Sequence, residues 1–237
     1  MLLNVNINYL ANLRNSIGGN EPDLLKCARY CERSGADGII AYVSDLVNSV
    51  NTYDIKNLKA HLRTRFILKI PMSKEYQKHA IDCVPDIVCI VPETNEQSPS
   101  KGFNVLKYQT EINDFMVPLM YEGSLACVLI DPQIEQVHSA YKAGMHYVEL
   151  NTAKFAEAFK TGNYDKEFND LKESAVLANT LGLKVILGNG INYVNVSKLM
   201  EIHGVSELNI GHSITSKSIF AGLDKAIKDM KELTDEK

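Results

Sequence analysis

The chain has 237 residues, 45% of them hydrophobic, and a formal net charge of −4. A chain of this length and content can bury roughly 70–75% of its unfolded surface in a core, and α/β barrels of this size run undivided as one domain. The acidic balance argues against a nucleic-acid partner, which would need a basic face, and the longest apolar runs are strand-sized, too short to span a bilayer.

Met1-Leu-Leu-Asn-Val-Asn6 lacks the basic region and long apolar core of a signal peptide and reads as the first strand, 2–8. Pro22-Asp23 opens a helix over 22–34, and Ser34-Gly35 closes it ahead of a strand at 38–43. A helix at 53–63, a strand at 66–70 and a helix opened by Ser73-Lys74-Glu75 (73–83) follow. Next come a strand at 86–91, a helix at 104–121, a strand at 126–131 ended by Asp131-Pro132, and a helix at 133–143. A strand at 147–151 precedes the segment 152–165, which is longer than an ordinary connection and suits a short extra helix. The pattern finishes with helix 165–181, strand 184–188, helix 193–202, strand 207–211 and helix 214–233. Eight strand–helix units in one unbroken series predict a single closed (β/α)8 barrel, of the TIM type, over 1–237. The five cysteines form no CxxC pair and read as reduced structural residues, which places the chain in the cytoplasm. No His, Asp or Glu falls at metal-ligand spacing, and neither a metal nor a cofactor is expected.

In such a barrel, catalytic groups project from the C-terminal ends of the strands. That selects Asn6, Asn8, Tyr42, Lys69, Glu93, Asp131, Glu149, Asn151, Asn189 and His212. Of the histidines, His212 alone stands at this end. Gly188-Asn189-Gly190 and Gly211-His212 end the last two strands, where backbone N–H groups and a helix start make an anion site. Gly190, Gly211 and His212 are therefore read as phosphate-binding, against the plainer reading of tight turns and a polar cap.

Lys69 interrupts the apolar strand Phe66-Ile-Leu-Lys-Ile70. If alternation turns it inward, three roles are open: an ion pair with Glu93 or Glu149, a contact to substrate phosphate or carboxylate, and a neutral amine that forms a Schiff base. Glu149, inside Tyr147-Val-Glu-Leu-Asn151, and Glu93, after Val91-Pro92, are candidate general bases. Tyr42 and Asn189 suit the orientation of a substrate rather than proton transfer at neutral pH.

Asn4-Val-Asn-Ile7, Leu13-Arg14-Asn15, Ser34-Gly-Ala-Asp-Gly-Ile39, Thr64-Arg65, Val91-Pro-Glu93, Leu181-Gly-Leu-Lys-Val185 and Glu207-Leu-Asn-Ile-Gly-His212 together carry a resemblance over nearly the whole chain. The chain resembles the pyridoxine 5′-phosphate synthase family. The resemblance implies a (β/α)8 barrel, a homo-oligomer that is often an octamer, and condensation of 1-deoxyxylulose 5-phosphate with an amino-acetone phosphate to close a pyridine ring. It also implies that Gly190, Gly211 and His212 hold substrate phosphate and that Asn6 touches substrate.

The catalytic positions depart from the family's pattern. Tyr42 stands for an expected histidine, Lys69 for a glutamate, and Asn189 for the histidine of a Gly-His-Gly turn. Asn8-Tyr9 replaces Asp-His, Ser44 and Val47 replace basic residues, Ile17 replaces an arginine, and Asn151-Thr152-Ala153 replaces His-Thr-Gly. One general acid–base group is worth about 10²- to 10⁴-fold in rate. The sequence thus predicts a barrel that keeps one phosphate pocket and has lost or altered the ring closure, with a non-catalytic metabolite-binding or assembly paralogue and a compensated synthase as alternatives. The Ser, Pro and Gly content of loop 96–103 permits a lid.

Overall fold

The computed structural model describes residues 1–43, 50–93 and 100–235. Ser44, Val47 and positions 96–99 of the expected lid lie outside them.

Eight strands, β1 (Leu2–Asn6), β2 (Gly38–Tyr42), β3 (Arg65–Pro71), β4 (Ile87–Val91), β5 (Leu125–Ile130), β6 (Tyr147–Asn151), β7 (Lys184–Gly188) and β8 (Val205–Ile210), pair in sequence order into a closed barrel. Every pairing is parallel, and β8 closes on β1 with Leu3 opposite Leu208. The helices that cover it are α1 (Asn8–Ile17), α2 (Leu24–Arg33), α3 (Thr52–His61), α4 (Lys74–Cys83), α5 (Gln109–Tyr121), α6 (Ile134–Lys142), α7 (Ala153–Thr161), α8 (Asp165–Thr180), α9 (Val196–Leu199), α10 (His212–Ala221) and α11 (Leu223–Asp235). None is long and apolar enough to cross a membrane.

Each strand buries both faces, which is why the sequence reads as continuous apolar runs rather than alternation. One set of side chains, including Leu3, Ile39, Leu68, Val88, Val148 and Leu187, packs outward under the helices. The other, including Ile40, Ile67, Ile87, Cys89, Leu129 and Ile186, fills the barrel interior. Interior positions on β1, β3, β6 and β8 are polar instead: Asn4, Lys69, Glu149, Glu207 and Asn209 are all buried.

Three expectations are corrected. The first strand stops at Asn6, and a helix the sequence reading omitted, α1, begins at Asn8. Its asparagines (Asn8, Asn12, Asn15) are weak helix formers, and its described buried face is only Asn8, Leu10 and Ala11, so no strong helical period marks it. The segment after Thr152 is a full helix, α7, as anticipated. The last helix is two: Gly222, at φ 79°, separates α10 from α11, a conformation glycine adopts without the steric cost other residues carry. That break makes α10 a short extra helix after the eighth strand, the element that commonly frames a phosphate site in this fold.

Candidate active site

The strand ends organise their own helices. Asn6 ends β1 and its Oδ1 accepts the N–H of Asn8 at 3.0 Å, so the strand turns straight into α1. Asn151 does the same at the end of β6, accepting the N–H of Ala153 at 3.0 Å. These are Asx turns, in which the side chain stands in for a backbone carbonyl. Asn8 is a clamp rather than a reactive group: its amide donates to the carbonyl of Tyr42 at 2.8 Å and accepts that residue's N–H at 2.6 Å.

At the other side of the mouth, β7 ends in two consecutive left-handed residues, Asn189 (φ 75°) and Gly190 (φ 77°). Asparagine tolerates that region better than most side chains. Gly190 is required there for a second reason, since a Cβ on it would come within 2.6 Å of the Ala156 Cβ. Gly211 caps α10, and a Cβ on it would sit 2.8 Å from the Tyr9 ring and 2.9 Å from the Asn6 Cβ. His212 is the first residue of α10, exposed, with its ring edge-on to Tyr9 at 5.5 Å.

These turns surround a cavity of about 110 Å³ whose lining includes Asn6, Lys69, Asn189, Gly190, Gly211 and His212. Six residues singled out in the sequence thus meet at one place, drawn from β1, β3, β7 and β8 ends. Tyr9, marked in the sequence only as a departure from the family's pattern, lines it too, as do Asn209 and Ser213, which were not singled out. Asn209 was legible, two residues before Gly211 on the same strand face. The volume is well below the roughly 300–1,000 Å³ of pockets for drug-sized molecules, so it suits a small ligand.

Lys69 forms the floor. It does point inward, as alternation predicts, and its Nζ is 2.6 Å from Glu149 Oε1 across the barrel. Lys69 is 7% exposed and Glu149 0%. Burial favours loss of the ammonium proton, but the charge of Glu149 and its hydrogen bond outweigh it, and the Lys69 pKa is raised. The neutral amine required for Schiff-base attack is therefore not the resting form; among the open readings, the geometry is that of the ion pair, with Glu149 as partner. Glu149 Oε2 in turn accepts from Asn209 Nδ2 at 2.9 Å and from the Cys89 thiol at 3.7 Å.

A second pair, missed by the sequence reading, lies below it. Arg65 binds Glu207 through both guanidinium nitrogens, at 2.7 and 3.0 Å. Asn4 Nδ2 joins the two layers, donating to Glu207 Oε2 at 2.8 Å and to Asn209 Oδ1 at 3.0 Å. The signal was present, since Arg65 and Lys69 are four apart on one strand and so share a face.

The remaining candidates stand apart from the cavity. Tyr42 pairs with Lys69 in the β2–β3 register but is buried among interior apolar side chains and does not line the cavity. Glu93 is exposed beyond β4 and does not line it either. Among the described residues, no group of three His, Cys, Asp or Glu side chains is placed to hold a metal.

The sequence pattern of the pyridoxal phosphate biosynthesis protein PdxJ matches residues 3–236. The chain belongs to this family. Relatives include the pyridoxine 5′-phosphate synthase of Chlorobium phaeobacteroides, 34% identical over 98% of this chain and 99% of the relative. That of Blochmanniella floridana is 35% identical over 100% of this chain and 96% of its own length. Among solved structures, N-(5′-phosphoribosyl)anthranilate isomerase from Pyrococcus furiosus superposes with a TM-score of 0.65 over 100% of both chains at 10% identity, a likeness of fold. PdxJ membership agrees with the resemblance read from Glu207-Leu-Asn-Ile-Gly-His212 and its companion segments.

Proposed function

We propose that this PdxJ-family barrel binds a phosphorylated small molecule at the β7–β8 end and has lost or altered the family's ring-closing reaction. The observation that carries the reading is the lining of the cavity: glycine turns and the start of α10 on one side, and on the other a lysine locked to a buried carboxylate where the resemblance expects a glutamate. Phosphate at Gly190, Gly211 and His212 would accept from backbone N–H groups backed by the helix dipole. Asn6 and Asn189 would orient the rest of the ligand.

If the protein is an enzyme, Lys69 acts as a fixed ammonium that polarises a carbonyl oxygen, and Glu149 holds it charged and in place. Proton transfer by Glu149 itself would require it to leave three partners in a fully buried position. Among the described residues no carboxylate lines the cavity, and that favours the second reading, a metabolite-binding paralogue without catalysis. Assembly of several copies and a cytoplasmic setting belong to the same proposal through the family.

The test is to incubate the purified chain with 1-deoxyxylulose 5-phosphate and amino-acetone phosphate and to look for pyridoxine 5′-phosphate by mass spectrometry. No product from folded protein, together with saturable phosphate-ester binding, is the expected result. Product at an enzyme-like rate would overturn the loss of chemistry.

A further inference from the structure

The cavity meets its contents with donors at both ends. At the rim are the glycine turns and the first residues of α10; at the floor is the Lys69 ammonium. Between them stand the amides of Asn6, Asn189 and Asn209 and the hydroxyl of Ser213, and among the described residues no Asp or Glu lines the cavity. The carboxylate that balances Lys69 is hidden: Glu149 is 0% exposed, and its two oxygens are taken by Lys69, Asn209 and Cys89. A molecule in the cavity therefore faces the cation of the pair and is screened from the anion.

Two consequences follow for the end of a ligand that reaches the floor. An amine brought there would lose its water and meet the like charge of Lys69, while the carboxylate of Glu149 is already taken by its own partners, which disfavours it. A carboxylate would accept charge-assisted hydrogen bonds from the Lys69 ammonium, stronger than those a neutral carbonyl receives. We infer that the ligand is a small phosphorylated carboxylic acid, its phosphate at Gly190, Gly211 and His212 and its carboxylate on Lys69. This rests on the phosphate reading above and adds the second end of the ligand. It also makes Lys69 the specificity-determining residue, selecting against the amino-ketone phosphates that the family's reaction uses.

Calorimetric titration of the full chain at pH 8 with inorganic phosphate, ethyl phosphate, O-phosphoethanolamine and phosphoglycolate tests it, because the last three share a phosphate and differ at the far end. Phosphoglycolate is expected to bind about tenfold tighter than ethyl phosphate, the worth of one charge-assisted hydrogen bond, with phosphoethanolamine the weakest ester. Lys69→Met alone leaves Glu149 buried and unpaired, so the paired variant Lys69→Met/Glu149→Gln is used, with its folding followed by circular dichroism. It should lose the preference for phosphoglycolate over ethyl phosphate. Equal affinities for the three esters in the parent chain would overturn the carboxylate end while leaving the phosphate site standing. A paired variant that keeps the preference would overturn the role of Lys69. Failure of all four probes, inorganic phosphate included, would sink the phosphate reading itself. The parent series decides the question even if the paired variant does not fold.

Discussion

Strand β3 sends two cations into the barrel four residues apart, and each meets a carboxylate from across the sheet, yet the two pairs stand in different surroundings. Arg65 holds Glu207 with a two-pronged grip near the N-terminal end of the barrel, and the Arg65 side chain is 30% exposed there. Lys69 holds Glu149 by a single short bond near the C-terminal end, under the cavity. A glycine lies against each: a Cβ on Gly38 would meet Asn4 Oδ1 at 2.3 Å, and one on Gly188 would meet Glu149 Oε1 at 2.0 Å. The two layers use the same chemistry, so the depth of a pair in the barrel, and not its composition, decides whether it can act on a ligand. The lower pair closes the barrel floor; the upper pair leaves one cation facing the mouth.

The largest expected effect comes from breaking the upper pair. Lys69→Met strands a fully buried carboxylate and should cost about 3–5 kcal/mol in urea unfolding, while removing both charges should recover most of it. Arg65→Met should cost less, about 1–3 kcal/mol, because the Arg65 side chain is 30% exposed and water can enter where it leaves Glu207. The reverse order would mean that water reaches Glu149. Gly188→Ala and Gly38→Ala sharpen the contrast: both should destabilise by about 1–3 kcal/mol through overpacking, but only Gly188→Ala should also erase the preference for phosphoglycolate in titration. Gly211→Ala crowds the Tyr9 ring and the Asn6 Cβ, so it should weaken inorganic phosphate about tenfold, or 1.4 kcal/mol, and also lower the unfolding midpoint through the same overpacking.

The smallest effect is a matter of rate. Burial pushes the thiol of Cys31 up to about 12 and that of Cys83 to about 11. Cys127, beside Cys89 in the β4–β5 register, is likewise raised by burial and by its neighbour. Thiolate is the reactive form, so these three should resist iodoacetamide at pH 8 in the folded chain. Labelling of Cys127 should quicken in Lys69→Met as the unfolded population grows; labelling at the parent rate would show that the upper pair does not limit opening.

How far the sequence reading reached depends on how local each signal was. The eight strands were legible because strands buried on both faces read as apolar runs with glycine at their ends. The inward turn of Lys69 was legible from strand alternation, and the glycine turns before Asn189 and His212 marked the cavity rim. The helix α1 was not, since Asn6 starts it through a side-chain bond and its buried face is slight. Gly222 broke the final helix where the apolar period ran on through it. Tyr42 and Glu93 stand at strand ends, as read, but an end position does not say whether a side chain reaches the mouth, the interior or solvent.

By itself the sequence determined the barrel, the order of its strands and the family, because hydrophobic period, turn residues and motif segments are written along the chain. Only the tertiary structure decided which acid Lys69 would meet, that Asn4 and Asn209 would link two ion-paired layers, and that Glu149 would be hidden while the ammonium lined the cavity. Those contacts join residues as many as 205 positions apart. They depend on the closure of β8 against β1 and on the Glu149 carboxylate that holds Lys69 charged against its burial, and no stretch of local sequence carries either.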